Sequence, residues 1–430
     1  MPRQADDDLL ALAHVAPVWS PAAAVDAALG DPDRAVDMLL RHRVVTAGEL
    51  RLGGQLPAVS EWAGRYGLLR KLLAEAWDEL DAGATELGMP VAGIKGLATR
   101  GLYADGSTRD VGDLDVMVTD VDGAWRLAGW LRTRGYDWYP EELPWLKRDA
   151  ATGRVYGQVA VRKYVGPVPL RVDVHFAGYS VRHCRLAPVT VSGAGLHTWE
   201  PAENLPLLLG NAAGDYVIRL KDINDVTLML ETEPRLDWEP ALGRVRAVGL
   251  DRFWNALLDE VLRTSRLSDR ARTLATELRF PGVRPERVPL GGKDWSRRCR
   301  ATVADAFRSG SGPAQKVQRA WGAWRYYHRP LELRVTDRCR HGRANAALLD
   351  SLRNDVCVRL VPTRVVRERS GSTAQPAQPV RLDPDGGRLV PGTHTLRQEV
   401  RDGHSYALIG GETFATTVFY DLCAAQGGWD

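Results

Sequence analysis

Two neighbouring stretches decide the fold of this chain: Gly93-Ile-Lys-Gly-Leu-Ala-Thr-Arg-Gly-Leu-Tyr103 and Arg109-Asp-Val-Gly-Asp-Leu-Asp-Val-Met-Val118. The second predicts a short buried strand, because an unbroken apolar run follows Asp115. Side chains alternate across a strand, so Asp113 and Asp115 are expected on the same face. Two carboxylates at the start of a buried element are costly unless a cation neutralises them, and magnesium prefers such oxygen ligands.

A third carboxylate lies in a later apolar stretch, Val172-Asp-Val-His-Phe176. This stretch also predicts a strand, and neighbouring strands lie about 4.8 Å apart. If the two strands are neighbours, Asp173 joins Asp113 and Asp115 at one place. Three converging carboxylates are what metal-assisted phosphoryl transfer requires. His175 shares the face of Asp173, where it either contacts a substrate or has a structural role.

A Gly-containing turn, a helix, an Asp-Leu-Asp strand and a later strand with one more acid resemble the polymerase-β-like nucleotidyltransferase superfamily. The pattern is most similar to its bacterial uncharacterised branch, which has a Lys-Gly turn and a Gly-Asp-Leu-Asp strand. The resemblance implies that Asp113, Asp115 and Asp173 are catalytic metal ligands. It places Lys95 and Gly96 at the phosphates of a nucleotide. The implied cofactor is Mg²⁺, with Mn²⁺ as an alternative.

The resemblance also bears on nucleotide contact outside the turn. Arg109 stands where that branch places a basic residue ahead of the acid pair. The serine that is usual in the turn is absent, so either Ser107 or Thr108 supplies the hydroxyl or Lys95 supplies charge in its place. Three other acids near the strand, Asp110, Asp120 and Asp122, are interpreted as turn and helix-cap residues.

The predicted fold class is α+β: a small mixed β-sheet nucleotidyltransferase core, flanked by N-terminal and central helical regions and followed by a small β-rich C-terminal module. A central helix at 216–230 has a polar side that includes Arg219. We expect Arg219 to bind the nucleotide or the acceptor; the alternative is a solvated face with local ion pairs. The expected domains are 1–89 (N-terminal helical region), 90–180 (core), 181–345 (helical domain) and 346–430 (β-rich module).

The resemblance implies a magnesium-dependent enzyme that transfers a nucleoside monophosphate from a nucleoside triphosphate to an acceptor hydroxyl or similar group. A small molecule or a peptide is the favoured acceptor. Two alternatives stay open: a nucleotide-binding regulatory protein with little catalysis, and a protein that binds or modifies nucleic acid. The last would use residues 297–343, where twelve Lys or Arg stand against three acids, with Trp and Tyr interleaved.

The composition sets modest limits on the class of protein, its partners and its compartment. A chain of 430 residues is too long for one small core, and a net charge of +3 favours neither nucleic acid nor membranes as a partner. Five cysteines without a Cys-x-x-Cys pair favour free thiols in a reducing compartment over a zinc site. The N-terminus lacks the features of a signal peptide, and no apolar run is long enough to span a membrane. We therefore expect a cytoplasmic protein with no membrane partner.

Overall fold

The computed structural model describes most of the chain up to Arg308 and four strands beyond it. Ser107 and Thr108 lie outside the described residues, as does most of the basic 297–343 segment. The described residues are 9–103, 109–138, 144–148, 155–180, 186–188, 191, 193, 195–232, 236–292, 295–308, 312–313, 316–317, 356–362, 397–401, 404–409 and 412–420.

Helices occupy the regions before and after the predicted core, as the leucine spacing indicates. None of the helices in the described ranges is both long enough and apolar enough to cross a bilayer. The helices are α1 (Pro21–Gly30), α2 (Pro32–His42), α3 (Val45–Leu52), α4 (Pro57–Glu86), α5 (Gly96–Thr99), α6 (Val121–Arg132), α7 (Pro201–Asp215), α8 (Leu220–Thr232), α9 (Trp238–Ala247), α10 (Asp251–Thr264), α11 (Asp269–Glu277) and α12 (Trp295–Arg308), with a 3₁₀ turn at Arg100–Leu102.

Strands form the predicted core and the C-terminal region. They are β1 (Pro90–Gly93), β2 (Leu114–Val118), β3 (Asp137–Trp138), β4 (Trp145–Arg148), β5 (Val155–Val165), β6 (Val168–Phe176), β7 (Gly178–Ser180), β8 (Leu186–Pro188), β9 (Gly195–Thr198), β10 (Val356–Pro362), β11 (Arg397–Arg401), β12 (His404–Ile409) and β13 (Glu412–Tyr420). The α+β class is confirmed, and the described residues after 317 are those of strands β10 to β13.

One sheet carries the predicted catalytic strands. Its strand order is β11-β12-β13-β10-β4-β5-β6-β2-β1-β9, with β3 paired to β5. β5 and β6 form an antiparallel hairpin, with Val165 opposite Val168 across the tight turn. β2 lies directly beside β6, so the strand of the Asp-Leu-Asp motif and the strand of the third acid are neighbours.

The described residues group into two compact units. The first comprises residues 1–78, 93–115 and 197–294, and the second comprises residues 79–92, 116–196 and 295–430. The first unit is mostly helical, whereas the second contains most of the sheet. The boundary passes through β1, β2 and β9 themselves, so each of these strands contributes residues to both units. The four domains expected from the sequence remain a prediction.

The helix boundaries follow capping rules that are visible in the sequence. Ser20 accepts a hydrogen bond from the N–H of Ala23 at the start of α1, and Asp31 accepts one from the N–H of Arg34 at the start of α2. A proline follows each cap at the first helical position, where the missing N–H costs nothing. The long helix α4 ends before Gly88, which has a φ of 58°.

The polar side of α8 is not the solvated face that one interpretation of the sequence favoured. Its polar residues Lys221, Asp222, Asn224 and Asp225 are all buried, together with its apolar residues. Asn224 donates to the carbonyl of Ala13, which accounts for part of this polar burial. A buried polar face must be satisfied by partners within the protein, and those partners form much of the candidate site.

Candidate active site

A buried acidic group lies on two neighbouring strands. Asp115 is in β2, and Asp173 and His175 are two apart on β6, so both β6 side chains project from one face. Each of the three offers one ligand atom, and these atoms lie within 4.8 Å of one another. All three residues are buried. The predicted convergence of Asp115 and Asp173 is thus observed.

The third member of the group is His175, which the sequence placed on the correct face without assigning it a ligand role. Asp113 was expected there instead. Asp113 precedes β2 and is half-buried. Among the described residues, Asp113 does not belong to the group that brings Asp115, Asp173 and His175 together. The alternation in Val-Asp-Val-His predicts that His175 lies on the same face of the strand as Asp173, because residues two apart in a strand share a face.

Both carboxylates of this group have a cationic partner. The Lys95 ammonium donates to Asp115 Oδ1 at 2.5 Å. The guanidinium of Arg171 holds Asp173 with two hydrogen bonds, from Nε at 2.7 Å and from Nη2 at 2.5 Å. Two-point arginine–carboxylate pairs of this kind are among the stronger charge-assisted contacts. Sequence reasoning anticipated Lys95 near the site but missed Arg171, which lies two residues before Asp173 on the same face.

The turn that carries Lys95 is fixed by Asn204. The Lys95 N–H donates to Asn204 Oδ1 at 2.6 Å, and Asn204 Nδ2 donates back to the Lys95 carbonyl at 2.9 Å. Asn204 is completely buried near the start of α7. Lys95 itself has a φ of 52°, a backbone conformation that non-glycine residues rarely adopt. The turn is therefore held in an unfavourable conformation by a two-point contact that no local sequence pattern reveals.

Gly96 lies directly beside the guanidinium of Arg109. A Cβ atom at residue 96 would lie 2.7 Å from Arg109 Nη1, closer than real Cβ contacts allow. The absence of a side chain at Gly96 thus makes room for a guanidinium of the protein itself.

Arg109 is buried and paired with Asp225 on α8. Its Nε donates to Asp225 Oδ1 at 2.9 Å and its Nη2 donates to Oδ2 at 2.8 Å. The Tyr103 hydroxyl donates to the same Oδ1 at 2.8 Å. Burial by itself would lower the pKa of Arg109, but the charge and hydrogen bonds of Asp225 raise it above its ordinary value. Arg109 therefore joins the segment before β2 to α8 as a permanent cation.

A second group of charges lies at the start of α8. Arg219 is buried, its Nη2 donates to Asp215 Oδ2 at 2.5 Å, and its N–H donates to Asp222 at 2.9 Å. Lys221 has its ammonium 3.6 Å from Asp222. Burial, together with the charges of nearby arginines that include Arg109, lowers the pKa of Lys221 to about 8, although Asp222 opposes this shift. Arg219 is thus turned into the protein and not toward solvent.

Two of the three flanking acids, Asp110 and Asp120, accept hydrogen bonds at helix starts, whereas Asp122 lies within the first turn of α6. Asp120 accepts a hydrogen bond from the N–H of Gly123 at 2.8 Å, at the start of α6. Asp110 accepts from the N–H groups of Val45 and Thr46, at the start of α3, across a long stretch of sequence. Burial raises the pKa of Asp110 despite these hydrogen bonds.

Comparison with known proteins identifies the family. The search of curated proteins and the search of solved structures gave no significant match. A family model described as uncharacterised nucleotidyltransferase matches residues 31–260, more than half of the chain. This range contains β2, β6, the Lys95 turn and α8. The chain therefore belongs to this uncharacterised nucleotidyltransferase family and is an enzyme of the nucleotidyl-transfer class.

Proposed function

We propose that this enzyme transfers a nucleoside monophosphate from a nucleoside triphosphate to an acceptor hydroxyl or similar group, with the help of Mg²⁺ or Mn²⁺. The observation that carries the proposal is the buried group of Asp115, Asp173 and His175. Carboxylate oxygens suit both ions, and the imidazole adds a ligand that first-row transition ions accept. β2, which carries the Asp-Leu-Asp motif, lies beside β6, which carries Asp173. This adjacency also supports the assignment of the family to the polymerase-β-like superfamily.

The residues present fit a divalent cation. Two carboxylates buried at one place repel each other, and their burial is costly without positive charge. Lys95 and Arg171 supply that charge in the structure. We propose Asp115 and Asp173 as metal ligands, with His175 as a third. Asp113 is retained as a further proposed ligand, because it stands two residues before Asp115 and is half-buried ahead of β2.

Lys95 and Arg171 are the proposed partners of the nucleotide phosphates. Each of them now contacts a carboxylate of the buried group. When these carboxylates bind a metal ion, phosphate oxygens become the natural partners of both cations. The backbone of Lys95 supports a functional role, since a positive φ at a non-glycine residue costs on the order of 1–3 kcal/mol. Gly96 gives the turn its compact form beside Arg109.

The chemistry follows from these roles. A bound divalent cation would polarise the phosphate and ease deprotonation of the acceptor. The acceptor oxygen forms a bond to the α-phosphorus while the bond from that phosphorus to the β-phosphate oxygen breaks, and pyrophosphate leaves. Asp173 is the proposed acceptor of the hydroxyl proton. Lys95 and Arg171 offset the negative charge on the phosphate oxygens.

Arg109 and Arg219 are proposed to act on the nucleotide through the elements they hold. Arg109 is committed to Asp225, and Arg219 contacts Asp215. Arg109, Asp225 and Arg219 are buried and Asp215 is half-buried, so the two arginines are proposed as positioning residues for the segment before β2 and for the start of α8. Loss of either should raise the KM for the triphosphate, because a small displacement of reacting groups is costly.

The test is mass spectrometry of candidate small-molecule and peptide acceptors after incubation with each triphosphate and Mg²⁺ or Mn²⁺. A nucleoside-monophosphate adduct is expected with wild type and is expected to disappear in Asp115→Asn and Asp173→Asn. Asp120→Asn is the matched control, because asparagine caps a helix as well as aspartate does. Adduct formation at the wild-type rate in Asp115→Asn would overturn the proposal.

A further inference from the structure

The imidazole of His175 distinguishes the buried group from a site that consists of carboxylates alone. One ligand atom each of Asp115, Asp173 and His175 lies within 4.8 Å of the others. Carboxylate oxygens suit Mg²⁺ and Mn²⁺ alike, whereas an imidazole nitrogen suits first-row transition ions. A donor set of two carboxylates and one imidazole therefore discriminates between Mg²⁺ and transition ions such as Mn²⁺.

The charges around the group also disfavour Mg²⁺. Lys95 pairs with Asp115 and Arg171 pairs with Asp173, so two cations offset the two carboxylates when no nucleotide is bound. Mg²⁺ gives up its water reluctantly and gains little from carboxylates whose negative charge is already offset. A neutral imidazole adds no charge, but its directed lone pair binds a transition ion. The preference of the group for one ion over the other thus depends on His175.

The chain bends sharply just after His175. Ala177 has a φ of 60° and Gly178 has a φ of 152°, so two successive residues leave the extended conformation of β6. A positive φ is strained for alanine, and such strain persists only where the surrounding structure enforces it. Ala177 is buried, and its N–H donates to the carbonyl of Val118 at 3.2 Å. The bend is therefore held in place by packing and by this hydrogen bond.

The bend brings Tyr179 against the imidazole of His175. The centroids of the two rings lie 5.0 Å apart, and the ring planes are inclined by 60°, which is an edge-on contact. In a straight strand, residues four apart have Cα atoms about 13 Å from each other, so this contact requires the bend. Contacts outside the ligand set orient the histidines of metal sites. The strained segment thus fixes the plane of the imidazole.

We propose that this site selects a first-row transition ion over Mg²⁺, with His175 as the selecting ligand and Tyr179 as the residue that positions it. Mn²⁺ is the expected ion, because it accepts carboxylates as readily as Mg²⁺ does. This inference rests on the proposed metal site and names the ion that the site prefers. Asp115 and Asp173 serve either ion, so removal of the imidazole lowers the affinity for Mn²⁺ more than the affinity for Mg²⁺.

The test uses the full-length protein, freed of metal and without nucleotide. Electron paramagnetic resonance measures the Kd for Mn²⁺, and competition against Mn²⁺ measures the Kd for Mg²⁺. The ratio of the Mg²⁺ Kd to the Mn²⁺ Kd should be larger in wild type than in His175→Asn by about tenfold or more. Asparagine replaces the nitrogen ligand with an amide oxygen. His197→Asn is the matched control, since His197 is a half-buried histidine of β9 that lies outside the group.

Pulsed electron paramagnetic resonance provides a measurement that depends on neither affinity nor activity. A coupling between Mn²⁺ and an imidazole nitrogen is expected in wild type and in His197→Asn, and it should be absent in His175→Asn. Tyr179→Leu should weaken this coupling and lower the affinity for Mn²⁺. Tyr179→Phe keeps the ring and should retain both. If Tyr179→Phe loses as much as Tyr179→Leu, the ring of Tyr179 does not position the ligand.

The outcomes separate this inference from the proposed reaction. Equal Kd ratios in wild type and His175→Asn would overturn the selection, as would a nitrogen coupling that persists in His175→Asn. Either result leaves the transfer reaction standing. If neither ion binds to wild type, the metal site fails and this inference falls with it. A ratio that depends on His175, together with no adduct from any triphosphate, would instead count against the proposed reaction alone.

Discussion

At the scale of single residues, Lys95 combines three properties that rarely coincide. It is buried, its backbone has a positive φ, and its ammonium lies 2.5 Å from a buried carboxylate. Each property is costly or demanding for a lysine. Together they favour a side chain retained for its charge, since a glycine would adopt this backbone without strain.

Replacing Lys95 by methionine should destabilise the metal-free protein. Removing one partner of a buried ion pair leaves the other charge uncompensated, at a cost of about 3–5 kcal/mol. Mg²⁺ or Mn²⁺ should then stabilise Lys95→Met more than it stabilises wild type, because the cation replaces the lost charge at Asp115. Thermal unfolding with and without the ion measures both effects. Lys163→Met, which breaks the ion pair with Glu79, is the control, and an equal response to metal in Lys95→Met and wild type would contradict this role.

The two acids of the Asp-Leu-Asp motif should differ in metal affinity. Asp115 belongs to the buried group, whereas Asp113 is half-buried ahead of the strand. We expect Asp115→Asn to weaken Mn²⁺ binding, measured by electron paramagnetic resonance without nucleotide, by about tenfold or more, in the range seen when part of a metal site is removed. Asp113→Asn should weaken it less. Equal losses would return Asp113 to the primary ligand role that the sequence assigned to it.

At the scale of elements, the pair of Arg109 and Asp225 connects the segment before β2 with α8. Both side chains are almost completely buried and meet through two hydrogen bonds, with Tyr103 as a third member. Such a contact fixes the approach of one element to another, because neither charge has water to replace its partner. The start of β2, and with it Asp115, is thus positioned partly from α8.

A double-mutant cycle should show this coupling. Arg109→Met alone should cost about 3–5 kcal/mol, because it leaves Asp225 buried without its charged partner. Arg109→Met combined with Asp225→Leu should cost less than the sum of the two single changes, since no unpaired charge remains. Denaturant unfolding of the four proteins gives the coupling free energy. Additive losses would mean that the two side chains act independently.

At the scale of the whole molecule, acid sensitivity should depend on His14. This histidine is buried; its Nδ1 accepts from the Ala16 N–H, and its Nε2 lies beside the hydroxyls of Thr264 and Ser265. Burial, followed by the charge of Arg51, lowers the pKa of His14 to about 3. The unfolded chain binds this proton near pH 6.5, whereas the folded protein does not. The contribution of neutral, buried His14 to the free energy of unfolding is therefore complete above pH 6.5. It is lost as the pH falls toward 3.

His14→Gln removes this titration. Wild type should lose up to about 1.4 kcal/mol of unfolding free energy per pH unit through His14 below pH 6.5. The difference in stability between wild type and His14→Gln should consequently narrow as the pH is lowered from 7 to 5. Urea unfolding at several pH values provides the measurement. A difference that stays constant with pH would show that the pKa of His14 is the same in the folded and the unfolded protein.

The sequence predicted those features that depend on local periodicity. The strands β2 and β6, and the meeting of Asp115 with Asp173, follow from apolar runs with single acids inserted. The sequence could not predict which residues form hydrogen bonds or ion pairs with the buried polar groups. The polar side of α8 has the same pattern whether water or Arg109 satisfies it, and Asn204 reaches Lys95 from a distant part of the chain. Long-range pairing of this kind depends on tertiary packing, which no window of sequence contains.

The crowding at Gly96 has a consequence for how distant relatives are recognised. The Lys-Gly pair resembles a phosphate-binding signature, yet the small residue is explained by the Arg109 guanidinium that fills the space of its missing side chain. Residues 96, 109 and 225 should therefore vary together among homologous chains. Where the arginine is replaced by a small residue, alanine or serine becomes acceptable at position 96. A search that demands the glycine alone would overlook such chains, whereas one that tests the three positions jointly would retain them.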